Sequence, residues 1–361
     1  MSFSPDSPDN YRNVTIMDVA RESGVSYSTV SRVLNGYEFV KDSTRQRVLE
    51  AAERLGYVAN LQARSLAGGR SRIIGLLVPG LDNAYIGEVV RGIDEELARA
   101  NYDLMLYTTH RHRGKEAVYV KTIVGGIVDG LLLIVPLDPV TYLKNLRERD
   151  FPYVVIDHQG FDDFSPTVVA TNWQGAYDAT SYLIRLGHRR IGFVAGTPEL
   201  SSATERLNAY QAALYTHEIP FDAALVQNGD FQQEGGYQAA KLLLSLEMPP
   251  TAIFASNDSS ALGVYDAVHE MGLQIPQDIS VVGFDDTLQA AVMYPPLTTV
   301  RQPLMDMGRT ATRMLLNLIK GQPAPNHRIV LPTNLVIRGS CQALAATSVQ
   351  STIKLPERRV K

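Results

Sequence analysis

The chain has little of what staples, plates or anchors a protein. Its one cysteine among 361 residues, Cys341, excludes a disulfide framework and any multi-cysteine metal site, and fits a reducing compartment. No apolar run reaches the ~20 residues that a membrane-spanning helix needs; Leu131–Val135 has the length of a buried strand instead. The opening MSFSPDSPDN is polar, acidic and proline-bearing, unlike a signal peptide, so the expected location is cytoplasmic. The segment after Ile73–Pro79 carries no dinucleotide-binding glycine fingerprint, and neither a P-loop nor an H-E-x-x-H pair occurs. His110 and His112 stand close together without a third ligand. No catalytic residue, metal site or cofactor is therefore expected, and the chain does not read as an enzyme.

What is present is ordinary in bulk and uneven in distribution. Apolar residues make up 45% and charged residues 20%, as in soluble globular proteins, and the length suggests two or three domains. The net charge is −4. Between Tyr11 and Arg72, however, ten basic residues face six acidic ones, which leaves the remainder of the chain acidic. A basic head on an acidic body confines attraction for phosphates to one end.

That head has a helical texture in three short pieces. Residues 1–13 read as a disordered tail. Thr15-Ile16-Met17-Asp18 is a capping-box signature, and the helix it opens stops at Gly24. A second helix has Ser26 as its N-cap and ends near Leu34; a third runs from about Asp42–Ser43 to Gly56. Ile16, Val19, Ala20, Val25, Val30, Val33, Leu34, Val48 and Leu55 form the expected core. Two short helices joined by a tight turn suit a helix-turn-helix, whose second helix enters the DNA major groove. Its leading residues here are Tyr27, Ser28 and Thr29, with Arg32 on the same side. Hydroxyls reach base edges or phosphates, and an arginine can bond guanine O6 and N7 together. Thr15, at a helix N-terminus, suits a phosphate.

From Arg72 onward apolar strands alternate with amphipathic helices. The expected strands are Ile73–Pro79, Asp103–Thr109, Leu131–Pro136, Tyr153–Asp157, Ile191–Gly196, Ala252–Asn257 and Ile279–Phe284. Expected helices include Ala84–Arg99, Gln174–Leu186, Arg206–His217, Gly235–Leu246 and Ser259–Met271. This alternation predicts α/β architecture with doubly wound parallel sheets, long enough for two lobes. Ligands bind beyond the carboxyl ends of such strands. Asp157, Asn257, Asp258, Asp285 and Asp286 all stand at or just after the ends of predicted strands, and Arg206 opens a predicted helix. Carboxylates and a guanidinium suit a polyhydroxylated ligand, while Tyr85 or Phe231 can cover its apolar face. Asp258 reads better as a helix N-cap than as a ligand contact; Asp286 reads either way.

The head resembles the DNA-binding headpiece of LacI/GalR-family transcription regulators. The family pattern VTI-x-DVA-x-x-x-GVS-x-x-TVSRVLN reads here VTIMDVARESGVSYSTVSRVLNG, and a later stretch reads TRQRVLEAAERLGYVAN. The resemblance continues to about Arg338. It implies a headpiece over residues 14–59, a hinge helix or linker over 60–70, and a periplasmic-binding-protein-like effector and dimerisation domain over 71–340. The N-lobe would hold about 71–171 and 302–330, the C-lobe about 172–301 and 331–340, with a C-terminal tail over 341–361. By the same resemblance, Tyr27, Ser28 and Arg32 match base-reading positions. Thr15, Ser26, Thr29, Ser31, Asn35, Thr44, Tyr57 and Asn60 match positions on or near phosphates. Ala63 and Leu66, in the segment ARSL, match the hinge helix, with Leu66 as the side chain wedged into a base step.

In the body, Arg206 matches the effector-binding arginine in RLNAY, Asp285 the first aspartate of GFDD, and Asn257 a cleft position. Where the family often has N-P-F-F, this chain has Asn83-Ala84-Tyr85-Ile86. The implied protein is a homodimeric regulator, expected to be a repressor, that binds a pseudo-palindromic operator under control of a small effector. A sugar is the expected effector and a purine-type ligand the alternative. The body alone would also suit a sugar receptor without DNA function, which would leave the headpiece unexplained. The tail has no leucine heptads, which favours a dimer over a tetramer.

Overall fold

A computed structural model describes residues 14–34, 39–57, 70–81, 84–126, 128–158, 164–322 and 326–344. They fall into two compact units that divide at Ser71.

In the first unit, α1 (Ile16–Ser23), α2 (Tyr27–Leu34) and α3 (Asp42–Arg54) enclose one small core. The capping box is formed: Thr15 N and Oγ1 both donate to the Asp18 carboxylate, at 2.9 and 2.7 Å, and Asp18 N donates back to Thr15 Oγ1. Gly24 ends α1 at φ 67°, a conformation that glycine adopts without Cβ strain. Ser26 caps α2, its Oγ accepting from Thr29 N at 3.2 Å. Val19, Ala20, Val30, Val33, Val48, Ala51 and Ala52 are buried, with Ile16, Val25, Leu34 and Leu55 packed around them. Helix α3 starts at the expected place, although its N-cap, Lys41, makes no side-chain capping bond.

The second unit contains two six-stranded sheets. The N-lobe sheet has the order β11-β5-β4-β3-β1-β2 and is parallel throughout. Its strands are β1 (Ile73–Val78), β2 (Asp103–Thr108), β3 (Gly130–Ile134), β4 (Tyr153–Ile156), β5 (Thr167–Ala170) and β11 (Arg328–Leu331). The C-lobe sheet has the order β12-β10-β9-β8-β6-β7. It comprises β6 (Ile191–Ala195), β7 (Val226–Asn228), β8 (Ala252–Ala255), β9 (Ser280–Asp285), β10 (Thr298–Arg301) and β12 (Asn334–Val336), of which only β12 runs antiparallel. The all-apolar strands such as β1 and β3 are buried along their whole length, as parallel strands covered on both faces require.

Helices α4 (Ala84–Arg99), α5 (Arg113–Val124) and α6 (Val140–Glu148) connect the N-lobe strands; α12 (Leu304–Ile319) joins them from late in the chain. The C-lobe carries α7 (Asn172–Arg185), α8 (Ser201–Thr216), α9 (Gln233–Leu244), α10 (Asp258–Glu270) and the short α11 (Leu288–Val292). The chain thus crosses between lobes three times, after β5, after β10 and after β11. Two crossings are tied together by Thr171 and Thr333, whose hydroxyls lie 2.9 Å apart while Thr333 N donates to Thr171 Oγ1 at 2.9 Å.

Two expectations need correction. Helix α8 begins at Ser201, not at Arg206, so the arginine sits in its second turn. The small residues Ser201 to Thr204, three of them hydroxyl-bearing, prolong a helix that apolar periodicity alone does not reveal. The C-terminal tail does not begin at residue 341 either. Cys341 Sγ donates to Val281 O at 3.2 Å, Gln342 N to Ser280 Oγ, and Leu344 N to Leu186 O, so the stretch through Leu344 is part of the C-lobe.

Helices α4 and α12 meet at backbone distance. A Cβ on Gly92 would lie 2.1 Å from Met305 O, and one on Gly308 2.2 Å from Val89 O. Gly92→Ala is expected to destabilise the N-lobe by about 3 kcal/mol, at the upper end of ordinary overpacking. Urea unfolding followed by circular dichroism measures this; an unchanged midpoint would contradict the close approach.

Candidate functional site

On the headpiece, the side chains expected to read bases stand together on the outer face of α2. Tyr27 is 48% exposed, and Ser28 and Arg32 are exposed as well. Val30 and Val33, on the opposite face, are buried and hold the helix to α1 and α3. Ser26 Oγ lies 2.9 Å from both Ser28 Oγ and Thr29 Oγ1, so three hydroxyls cluster at the start of α2. A helix start of this kind, with its unpaired N–H groups, receives anions. Thr15 is exposed; Ser31, Thr44 and Tyr57 are half-buried. Arg32 makes no ion pair among the described residues, whereas Arg21 bonds Asp18 and Arg54 bonds Glu22. Asn35, Asn60, Ala63 and Leu66 lie outside the described residues.

In the body, all six residues expected at the cleft line one cavity of about 200 Å³: Tyr85 and Asp157 from the N-lobe, and Arg206, Phe231, Asn257 and Asp285 from the C-lobe. The cavity lies beyond the carboxyl ends of β4 and β9, which deliver Asp157 and Asp285. Five of its lining residues hold a left-handed backbone, namely Arg111, Val135, Asp157, Phe231 and Asp285, with φ of 59°, 46°, 55°, 65° and 124°. Such conformations are costly, most of all for β-branched Val135, and they concentrate where a site over-determines the chain.

Arg206 is 3% exposed and held from several sides. Its Nε and Nη2 donate to Asn172 Oδ1 at 3.0 and 2.7 Å, and Nη1 donates to Ser256 O at 2.5 Å. The guanidinium stacks on the Phe284 ring at 3.7 Å, and Nη1 lies 3.9 Å from Asp285 Oδ1. Asp285 also accepts from Gln302 Nε2 at 2.8 Å. Burial pushes the Asp285 carboxyl upward, and Arg206 only partly offsets it. Across the cavity, Tyr85 donates to Asp157 Oδ2 at 3.0 Å. Burial and the Asp157 charge together hold the Tyr85 phenol well above its usual range.

The N-cap role falls to Asn257 instead of Asp258. Asn257 Oδ1 accepts from Ser260 N at 2.8 Å, and its Nδ2 donates to Phe231 O at 3.0 Å, so this side chain caps α10 and pins the aromatic. Asp258 turns inward instead. It accepts from Thr299 Oγ1 at 2.6 Å and from Thr287 N and Oγ1 at 2.8 and 3.1 Å, which anchors the turn after Asp285. Asp286 is not a ligand group; it pairs with Arg301 and Arg338. Sequence reasoning missed Asn172, Ser256 and Gln302, which act through Arg206 and Asp285, and Glu205, which neighbours them. Only their places after strands or at lobe crossings carry a signal, and crossings are invisible before the sheets are assigned.

Residues 15–60 match the bacterial regulatory proteins of the lacI family, and residues 180–341 match a periplasmic binding protein-like domain. The HTH-type transcriptional repressor PurR of Pectobacterium carotovorum is 36% identical over 90% of this chain and 96% of its own length. The chain belongs to the lacI family. It is a DNA-binding transcriptional regulator of that family. Among solved structures, the lac repressor dimer bound to operator and the anti-inducer ONPF is 31% identical, with a TM-score of 0.81 over 92% of this chain and all of that one. The complex of the transcriptional regulator CelR with cellobiose is 32% identical, with a TM-score of 0.70 over 91% and 99% of the respective chains. Among the described residues of this lacI-family regulator, no helix is long and apolar enough to cross a membrane, and no three His, Cys, Asp or Glu residues are grouped to hold a metal.

Glu205 gives the body a pH signature. Burial and the nearby Asp157 charge push its carboxyl up to about 7, against opposing pulls from Arg328, Arg206 and Asn172. The folded state therefore holds a proton that the unfolded chain has released, so its contribution is present below the ordinary glutamate range and lost as pH rises through about 7. In calorimetry between pH 5 and 8, Glu205→Gln should flatten the decline in melting temperature. An unchanged slope would remove Glu205 from this role.

Proposed function

We propose that this regulator binds a pseudo-palindromic operator as a homodimer and that a small effector in the body's cleft sets its affinity for DNA. Tyr27, Ser28 and Arg32 are the base-reading residues, with Ser28 tuning operator choice. Thr15, Ser26, Thr29, Ser31, Asn35, Thr44, Tyr57 and Asn60 hold the phosphates. The outward cluster of hydroxyls at the start of α2, with Arg32 exposed in its last turn and making no ion pair among the described residues, supports this reading. Arg32→Ala is expected to weaken specific binding by about 1–3 kcal/mol while leaving non-specific binding nearly intact. The measurement is fluorescence anisotropy against an operator selected from random DNA and against a scrambled duplex. Equal losses on both would reduce Arg32 to a phosphate contact.

The hinge around Ala63 and Leu66 is read from sequence alone. One or two helical turns are marginal in water, so this segment folds when DNA and a partner copy hold it. Leu66 then acts as an apolar wedge that bends the duplex. Leu66→Ala should weaken operator binding and reduce bending in a gel phasing assay; unchanged bending would refute the wedge.

The observation that carries the effector reading is the cavity itself, where a buried guanidinium and two buried carboxylates converge from both lobes beside Phe231. Such groups bond paired hydroxyls, and an aromatic ring covers the apolar face of a sugar. The structural likeness to the CelR–cellobiose complex supports a sugar; the identity to PurR supports a purine-type ligand as second reading. Occupation changes the relation of the lobes and so the affinity for operator, and DNA changes effector affinity by the same factor. Repression is the proposed sign, with the cytoplasm as its place of action. A thermal-shift screen of sugars and nucleobases on the purified chain identifies the class. Arg206→Ala should bind operator normally and lose its response to whichever compound the screen returns; a full response in that variant would displace the assigned site.

A further inference from the structure

We propose that the cleft is built for a polyol carrying a protonated amine, an amino sugar, with the ammonium seated on Asp157. This rests on the cleft reading above and specifies its ligand.

The argument starts from a missing counter-charge. Asp157 is 7% exposed and lines the cavity. Its Oδ2 accepts from the neutral Tyr85 hydroxyl, while Oδ1 has no hydrogen-bond partner. Among the described residues Asp157 makes no ion pair. The buried cation of the site, Arg206, is already committed to Asn172, the Ser256 carbonyl, Phe284 and Asp285. Arg111 stands at the exposed rim and has interactions of its own. Around Asp157 gather further acids, because its charge raises the Glu205, Asp285 and Tyr85 protons alike. Asp258 lies behind Asp285 and raises it as well.

A buried carboxylate without a cation is costly, and removing one partner of a buried pair typically exposes a penalty of several kcal/mol. A hydroxyl would give Oδ1 a hydrogen bond and leave the charge uncancelled. An ammonium supplies both. A sugar acid or sugar phosphate would bring a second negative charge beside Asp157, which already lacks a counter-charge among the described residues. The cavity, about 200 Å³, falls below the roughly 300 Å³ at which pockets for drug-sized ligands begin, so a single ring is the natural occupant. Val135, Leu137 and Phe231 supply an apolar wall for the C–H face of that ring.

The test is a matched charge series on the full chain at about pH 6.5, where such amines are protonated. D-glucosamine, D-galactosamine and D-mannosamine are titrated by calorimetry beside their parent hexoses and the matching uronates, with adenosine and guanosine in the same screen. At least one amine should bind about tenfold or more tightly than its parent, the margin expected when a hydrogen bond gains charge assistance. The uronates should not bind. In Asp157→Asn the amine advantage should shrink to about twofold. A hexose or uronate binding as tightly as its amine, no binding by any amine, or an undiminished advantage in Asp157→Asn would each overturn the inference. The wild-type series alone decides if that variant fails to fold. A nucleoside or neutral hexose that binds in an Arg206-dependent way, while the amines fail, would overturn the amine and leave the effector cleft standing.

Discussion

The buried guanidinium of Arg206 is the interaction on which the body's organisation turns. A charge with 3% exposure needs partners, and here Asn172 and Ser256 accept its hydrogen bonds while Asp285 and the Phe284 ring stand beside it. Asn172 is the first residue of α7, just past the first crossing between lobes. Asp285, beside the guanidinium, is bonded by Gln302, at the second crossing. Thr171, next to Asn172, is bonded to Thr333 at the third. Arg206 is thus connected to every segment that joins the lobes, by hydrogen bonds through Asn172 and by its ion pair with Asp285, which Gln302 bonds. A group that perturbs this cation reaches the crossings directly, without a long relay through the sheets.

Around that centre the site holds more acid than base. Asp258 is kept inside by Thr287 and Thr299, Asp285 by Gln302 and Arg206, and Asp157, among the described residues, by Tyr85 alone. Five lining residues in left-handed conformations add backbone cost to electrostatic cost. Both kinds of expense mark the cleft as a place where stability has been given up for recognition.

Much of this was legible in the sequence, for identifiable reasons. The headpiece helices announce themselves through Thr15–Asp18, Gly24 and Ser26, each a local hydrogen-bonding or φ requirement. The buried strands β1 and β3 announce themselves through unbroken apolar runs. The strands β5, β7, β10, β11 and β12 were not foreseen, because three or four residues give too little periodicity and their membership depends on pairing with distant partners. Asp157, Asn257 and Asp285 were visible because side chains at strand ends face a crevice, Arg206 and Asp285 through the family motifs, and Tyr85 and Phe231 as aromatics able to cover a ligand. Their supports were not. Asn172 and Gln302 matter only because the chain changes lobes beside them, and Asp258 differs from a cap only in the direction its carboxylate takes.

The close contact between Gly92 and Gly308 has a consequence for the order in which the chain is made. Helix α4 leaves a ribosome more than 200 residues before α12, yet α12 covers it and buries Leu304, Met307, Ala311, Met314 and Leu315 in the N-lobe core. The edge strand β11 comes later still. The lobe that is translated first is therefore completed only after the whole C-lobe sheet except β12 has emerged. During synthesis the apolar face of α4 waits for its partner, and domains otherwise tend to fold in order of emergence. For this fold the nascent N-lobe is the stage at which a chaperone, or a competing chain, has its longest opportunity.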